Sequence, residues 1–179
     1  MLEGPNMDAV GDVVVDSTSL HRRVDEIGAE ISADFAGSNV LMVGVLKGAY
    51  MFLSDLVRSM SIPTEVDFIA VSSYGALTTS TGVVRLLKDL DHDIEGRHVV
   101  VVEDIIDSGL TLRYLLELLE ARNPASLSAC SLLARSGHPA DLIRYLGFEI
   151  PDGWVVGYGL DVGGWHRDYD EIRWYNSDV

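Results

Sequence analysis

Four consecutive valines, Val99–Val102, run directly into Glu103-Asp104-Ile105-Ile106-Asp107-Ser108-Gly109-Leu110-Thr111. A continuous β-branched run is the mark of a strand buried on both faces, and such strands belong to parallel sheets covered by helices. This one delivers two adjacent carboxylates to its carboxyl end. A short loop of Asp, Ser, Gly and Thr follows, and then a helical stripe of Leu112, Leu115, Leu116 and Leu119. In parallel sheets ligands bind beyond the carboxyl ends of the strands. Backbone N–H groups at a helix start are unpaired and carry the positive end of the helix dipole. Glycine and small hydroxyl residues there let a phosphate approach closely. The segment therefore offers a phosphate cradle beside acids suited to sugar hydroxyls or a divalent metal. The plainer alternative is an N-capped helix with solvated acids. Capping accounts for Asp107 or Ser108, but not for carboxylates set directly after buried valines, where charge needs partners. The Gly-x-x-x-x-Gly-Lys pattern of a nucleoside-triphosphate loop is absent.

The rest of the chain supplies the sheet that this segment needs. Leu20, Val24, Ile27, Ile31 and Phe35 step at helical spacing behind candidate caps at Ser17 to Ser19, and Gly37 gives a stop. Val40–Leu46 reads as a buried strand closed by Lys47-Gly48. Phe52, Leu53, Leu56, Val57 and Met60 form the next helical face, ended before Pro63. Further strands are expected at Val66–Val71, Val83–Leu87, Leu127–Leu133 and Trp154–Leu160, with a polar, Ser/Thr/Gly-rich loop over Ser72–Gly82. Strand–helix alternation implies an α/β fold with a mostly parallel sheet flanked by helices. A length of 179 residues suits one domain. Residues 1–12 are expected to be a flexible N-terminus, the first six an expression scar ahead of Met7, and 13–179 a single domain.

Charge and cysteine content narrow the partners. A net charge of −15 argues against coating nucleic acid or docking on an anionic membrane. It leaves room for a phosphorylated small substrate at a locally positive or metal-assisted site. A single cysteine, Cys130, excludes an internal disulfide framework and suits a reducing, cytoplasmic setting. It sits in an apolar strand and reads as inert core. The histidines His21, His92, His98, His138 and His166 show no paired ligand spacing.

The fingerprint segment resembles the phosphoribosyl-diphosphate motif of type I phosphoribosyltransferases, and the surroundings resemble the hypoxanthine-guanine phosphoribosyltransferases, especially the bacterial branch. Leu46-Lys47-Gly48 resembles that family's first pyrophosphate loop, and Ser72-Ser73-Tyr74-Gly75 its flexible active-site loop. Gly147–Asp152, Trp154–Asp161 and Arg167-Asp168 resemble its base-binding end. The resemblance runs from about Val14 to Asp170.

It implies the type I fold with a small base-binding hood, formed mainly by the C-terminal part and an N-terminal segment. It also implies transfer of a 5-phosphoribosyl group from 5-phosphoribosyl-1-diphosphate to a 6-oxopurine (hypoxanthine or guanine). The products are a nucleoside monophosphate and pyrophosphate, in purine salvage with Mg²⁺. By the same resemblance Asp107 is the general acid/base near the purine N7, a task open to a carboxylate. Glu103 and Asp104 hold the ribose hydroxyls, directly or through metal-bound water. Ser108, Gly109, Leu110 and Thr111 bind the 5′-phosphate. Lys47 and Gly48, with a cis Leu46–Lys47 peptide, and Arg167 contact pyrophosphate, and Ser73-Tyr74 close over the site. Trp154 stacks on the purine, the Val155 backbone reads its edge, and Asp161 joins Glu103 and Asp104 as the metal set. A homodimer or homotetramer is implied.

Two positions depart from the family pattern. Leu132-Leu133-Ala134-Arg135 carries Arg135 where relatives place a lysine that donates to the 6-oxo group. A guanidinium can still donate, but it is longer and planar. Val162-Gly163-Gly164-Trp165-His166 replaces a more polar, aromatic stretch. The departures keep two alternatives open, transfer to a modified purine-like base and a non-catalytic nucleotide-binding regulator.

Overall fold

The computed structural model describes residues 6–73 and 84–176. Their first element is a short 3₁₀ turn at Met7–Ala9, leading into β1 (Val10–Val15). Then follow α1 (Ser17–Asp34), β2 (Val40–Leu46), α2 (Tyr50–Ser59), β3 (Thr64–Ser73), β4 (Val84–Lys88), β5 (His98–Ile106), α3 (Leu110–Glu120), β6 (Ser126–Arg135), β7 (Tyr145–Ile150), β8 (Trp154–Val156) and β9 (Ile172–Tyr175). The helix α1 starts at the first of the expected caps, and its true cap lies one residue earlier. Asp16 is its N-cap, and that carboxylate accepts the Ser19 N–H at 2.9 Å.

The large sheet has the order β4-β3-β2-β5-β6-β7. Strands β2, β3, β5, β6 and β7 pair in parallel, and β4 is antiparallel to β3. The mostly parallel α/β architecture expected from the valine run is therefore present. Alternation along β5 sends Val100 and Val102 into a core shared with α1 and α2. Val99 and Val101 enter a second core shared with α3. Both faces are dry, which explains why Val99–Val102 is apolar at every position.

Pairing with β6 continues through Ile105↔Leu133 and Ile106↔Ala134, so β5 outlasts the valines. Glu103 and Asp104 lie inside the strand rather than beyond it. Ser72 and Ser73 likewise belong to β3, opposite Arg85 and Val84, so the expected loop begins later. Tyr74 and the remainder of that loop to Gly82, with Val83, lie outside the described residues.

A second, antiparallel sheet of order β1-β9-β8 forms the hood. Val10 pairs with Tyr175, and the Asn176 N–H donates to the Ala9 carbonyl at 2.8 Å. Residues 7–12, expected to be flexible, are held by this pairing, and Ala9 is buried. Strand β8 stops at Val156, short of the expected Leu160. Gly157 and Gly159, both at φ +100°, turn the chain there. No helix among the described residues is long and apolar enough to cross a membrane.

Candidate active site

The carboxyl ends of β2, β5 and β6 and the start of β8 face one another, and close packing fixes how. A Cβ on Gly48 would lie 1.5 Å from Asp104 Oδ2, and one on Gly159 would lie 2.2 Å from the Gly48 carbonyl oxygen. Three segments that are remote in sequence thus touch, and at Gly159, where the obstacle is backbone, only glycine fits. The Leu46–Lys47 peptide is cis, as the resemblance implied. Lys47 is exposed.

Two cavities meet at Asp107. The larger, of about 420 Å³, is lined by Asp104, Asp107 and Arg135 on the sheet side and by Trp154, Val155 and Asp161 on the hood side. Asp152, Gly153, Ile105 and Leu160 complete its wall. The smaller, of about 130 Å³, is wrapped by Glu103, Asp107, Ser108, Gly109, Leu110 and Thr111. The two acids of β5 are therefore split between the cavities, in line with side-chain alternation along a strand. Asp107 lines both.

The smaller cavity sits on the start of α3. Gly109 is the N-cap, at φ +73°, and no side chain caps the helix. The capped-helix alternative for Asp107 and Ser108 therefore falls. A Cβ on Gly109 would lie 2.4 Å from Pro139 Cγ, so the loop is pressed against the β6–β7 connection.

Burial raises the Glu103 carboxyl well above its ordinary value, and neighbouring Asp104 adds to the shift. Asp104 is also raised, chiefly by burial. Its own backbone contacts, including the Ile105 N–H at 2.8 Å, oppose the shift, as does Arg167, while Asp161 reinforces it. Arg167 Nη2 lies 2.6 Å from Asp161 Oδ1, and its Nη1 donates to the Gly159 carbonyl at 2.5 Å. Asp161 Oδ2 accepts the Gly164 N–H at 2.6 Å. The two residues expected on pyrophosphate and metal are thus paired with each other.

Trp154 opens β8 and is 65% exposed on the cavity rim, whereas Val155 behind it is buried. Arg135, at the end of β6, donates from Nη1 to the Pro151 carbonyl at 2.7 Å and from Nη2 to the Gly153 carbonyl. Ser73 ends β3, and Tyr74 lies outside the described residues. Among the described residues no three metal-ligating side chains converge, so Glu103, Asp104 and Asp161 do not form a ready-made cage. Cys130 is buried, and burial raises its thiol.

Sequence reasoning missed one support of this site. The Tyr158 hydroxyl donates to Asp55 Oδ2 at 2.5 Å, tying the hood turn to α2, and His21 Nε2 lies 3.6 Å from the same oxygen. Tyr158 has φ +49°, a conformation that no pattern of apolar residues signals.

A parallel sheet whose carboxyl edge carries a phosphate-sized loop, buried acids and an aromatic-rimmed hood is the framework of an α/β enzyme for phosphorylated sugars and a flat base. The chain belongs to the phosphoribosyl transferase domain family, whose model matches residues 14–162. It is 47% identical over 168 residues to a hypoxanthine-guanine phosphoribosyltransferase of Mycobacterium tuberculosis, covering 89% of this chain and 83% of that one. The hypoxanthine-guanine phosphoribosyltransferase of Bacillus subtilis is 44% identical over 162 residues, covering 89% and 90%. Among solved structures, a hypoxanthine phosphoribosyltransferase from Staphylococcus aureus superposes with a TM-score of 0.91 at 35% identity, covering 100% of this chain and 98% of that one. A hypoxanthine-guanine phosphoribosyltransferase from Bacillus anthracis gives a TM-score of 0.87 at 41% identity, covering 92% and 98%.

Proposed function

We propose that this protein transfers the 5-phosphoribosyl group from 5-phosphoribosyl-1-diphosphate to hypoxanthine or guanine, releasing pyrophosphate, as a cytoplasmic salvage enzyme. The observation that carries this reading is the placement of Asp107 at the junction of the two cavities. One cavity is the size of a phosphate group with its surroundings, and the other accommodates a base and ribose.

The 5′-phosphate occupies the Ser108–Thr111 loop, whose uncapped amides and helix dipole favour an anion. The ribose then lies between the cavities, with Glu103 and Asp104 on its hydroxyls. The base enters beneath the hood, stacked on Trp154 and read at its edge by the Val155 backbone. Cleavage of the bond to pyrophosphate leaves positive charge on the ribosyl group, which buried carboxylates stabilise without reorganising. Asp107 stands where the base and sugar join and accepts or returns the proton at the purine N7. Arg167 and Lys47 draw the departing pyrophosphate, the guanidinium as a bidentate fork.

Asp161 and Asp104, which line one cavity, and Glu103 in the next are hard oxygen donors of the kind that Mg²⁺ takes together with substrate oxygens and water. A bound cation would neutralise acids that burial otherwise drives toward protonation, so the donor set fits it. When bound it would supply charge stabilisation for the leaving pyrophosphate. A homodimer or homotetramer forms part of this reading. One of the similar structures, a Trypanosoma cruzi hypoxanthine phosphoribosyl transferase, was solved to study how its C-terminal region affects oligomeric state and activity.

The test follows nucleoside monophosphate formation by absorbance from phosphoribosyl diphosphate and Mg²⁺, with hypoxanthine, guanine, xanthine and adenine in separate reactions. Turnover with hypoxanthine or guanine and none with adenine is expected. Turnover with adenine alone would contradict the assignment.

A further inference from the structure

We infer that Arg135 is a positioning residue, whose guanidinium sets the Pro151–Gly153 loop and thereby holds Trp154 over the base, rather than reading the 6-oxo group itself. The inference rests on the purine reading above. Arg135 closes β6 at the carboxyl edge of the large sheet, opposite Ile150 in the register with β7. Its side chain crosses to the hood, where Nη1 donates to the Pro151 carbonyl at 2.7 Å and Nη2 to the Gly153 carbonyl. Both acceptors lie in the short turn that delivers Trp154.

The opposite side of that turn is closed as well. Gly153 sits at φ +144°, and a Cβ there would lie 2.7 Å from Trp174 Cζ3. The turn is thus clasped between a guanidinium and an indole. Trp154 itself is 65% exposed, so the turn before it, more than packing around its own ring, fixes where the ring stands. A planar fork suits this task, because its donors point in set directions and bind two carbonyls in one orientation.

The cavity wall adds a second argument. Asp104, Asp107, Asp152 and Asp161 line it, and Arg135 is the one basic side chain among its described lining residues. A guanidinium shared between two loop carbonyls is oriented by the loop, with its donors aimed at backbone and not at the cavity. Selectivity at the 6-position then falls to the backbone at Val155, and Arg135 tightens every flat base alike through the stacking ring.

Calorimetric binding separates the two roles without needing turnover. Inosine monophosphate is compared with purine ribonucleoside 5′-monophosphate, which lacks the 6-oxo group, on the wild type, Arg135→Lys and Arg135→Met. Under the positioning role Arg135→Met weakens both ligands by a similar factor, roughly tenfold, and Arg135→Lys leaves their affinity ratio at the wild-type value. In a Trp154→Ala background, Arg135→Met brings little further loss. Weakening confined to inosine monophosphate, or full additivity with Trp154→Ala, overturns the inference while leaving the purine reading intact. Failure of the wild type to bind either nucleotide overturns both.

Discussion

Gly159 shows how much of the site is decided by single atoms. Its φ of +100° and the 2.2 Å from a built Cβ to the Gly48 carbonyl oxygen leave no room for a methyl group. Both obstacles are backbone, so neither can swing aside. Gly159→Ala should push the hood turn away from the Lys47-Gly48 loop and break the Gly159 carbonyl's bond to Arg167. We expect a loss of about 1–3 kcal/mol in stability, seen in denaturant unfolding, and a larger proportional loss of kcat/KM for phosphoribosyl diphosphate. Wild-type kinetics in the variant would show that the contact does not align the loop. The residue types of this site were legible because Asp, Ser, Gly and Thr after a buried strand have few structural reasons to be there. The clasp of Arg135 on the Pro151 and Gly153 carbonyls was not legible, since a backbone acceptor leaves no mark on residue identity.

Strand β5 carries the fold and the chemistry in one element, and the two demands conflict at Glu103. Burial raises this carboxyl well above its ordinary value of 4.5. The folded protein therefore keeps a proton that the unfolded chain sheds above about that pH. The group's contribution favours folding below that point and is lost as pH rises toward the raised value. Glu103→Gln should accordingly raise Tm at pH 7.5 and change it little near pH 4. Each kcal/mol recovered is worth about 2–4 °C in a chain of this size. The same variant should bind phosphoribosyl diphosphate more weakly, a trade of function for stability. An equal Tm difference at both pH values would contradict the burial argument. The valine run announced β5 because both of its faces are dry. Its true end at Ile106 was hidden, because continued pairing with β6, and not composition, carries the strand past the acids.

At the scale of the whole molecule, the proposed reading gives phosphate and sugar contacts to the mostly parallel sheet and stacking on the base to a separate antiparallel sheet. The hood joins the two ends of the described chain. Val10 pairs with Tyr175, Arg173 Nη1 donates to the Gly11 carbonyl at 3.1 Å, and Trp154 stands opposite Tyr175 in the next strand. Deleting residues 1–12 should therefore raise KM for the base several-fold while leaving phosphoribosyl diphosphate binding near its wild-type value. Steady-state kinetics with each substrate varied in turn would show the split, and equal effects on both would argue that the sheets act as one body. Of the hood strands β8 was read, though too long, while β1 and β9 escaped because they are short and partly exposed and pair across opposite ends of the chain. Most of the large sheet was legible because β2 and β5 are continuous apolar runs and β3, β4 and β6 have apolar centres, but β7, interrupted by Gly147 and Glu149, went unread.

Asp107 lines both cavities and is the proposed general acid/base. The most direct test of that role is pyrophosphate release from phosphoribosyl diphosphate, Mg²⁺ and hypoxanthine or guanine by wild type and Asp107→Asn side by side, with phosphoribosyl diphosphate affinity measured on both. We predict release by the wild type, a fall in kcat of about 100-fold or more in the variant, and affinities within a few-fold of each other. Undiminished turnover in Asp107→Asn, or a wild type that binds phosphoribosyl diphosphate and releases no pyrophosphate with either base, would contradict it.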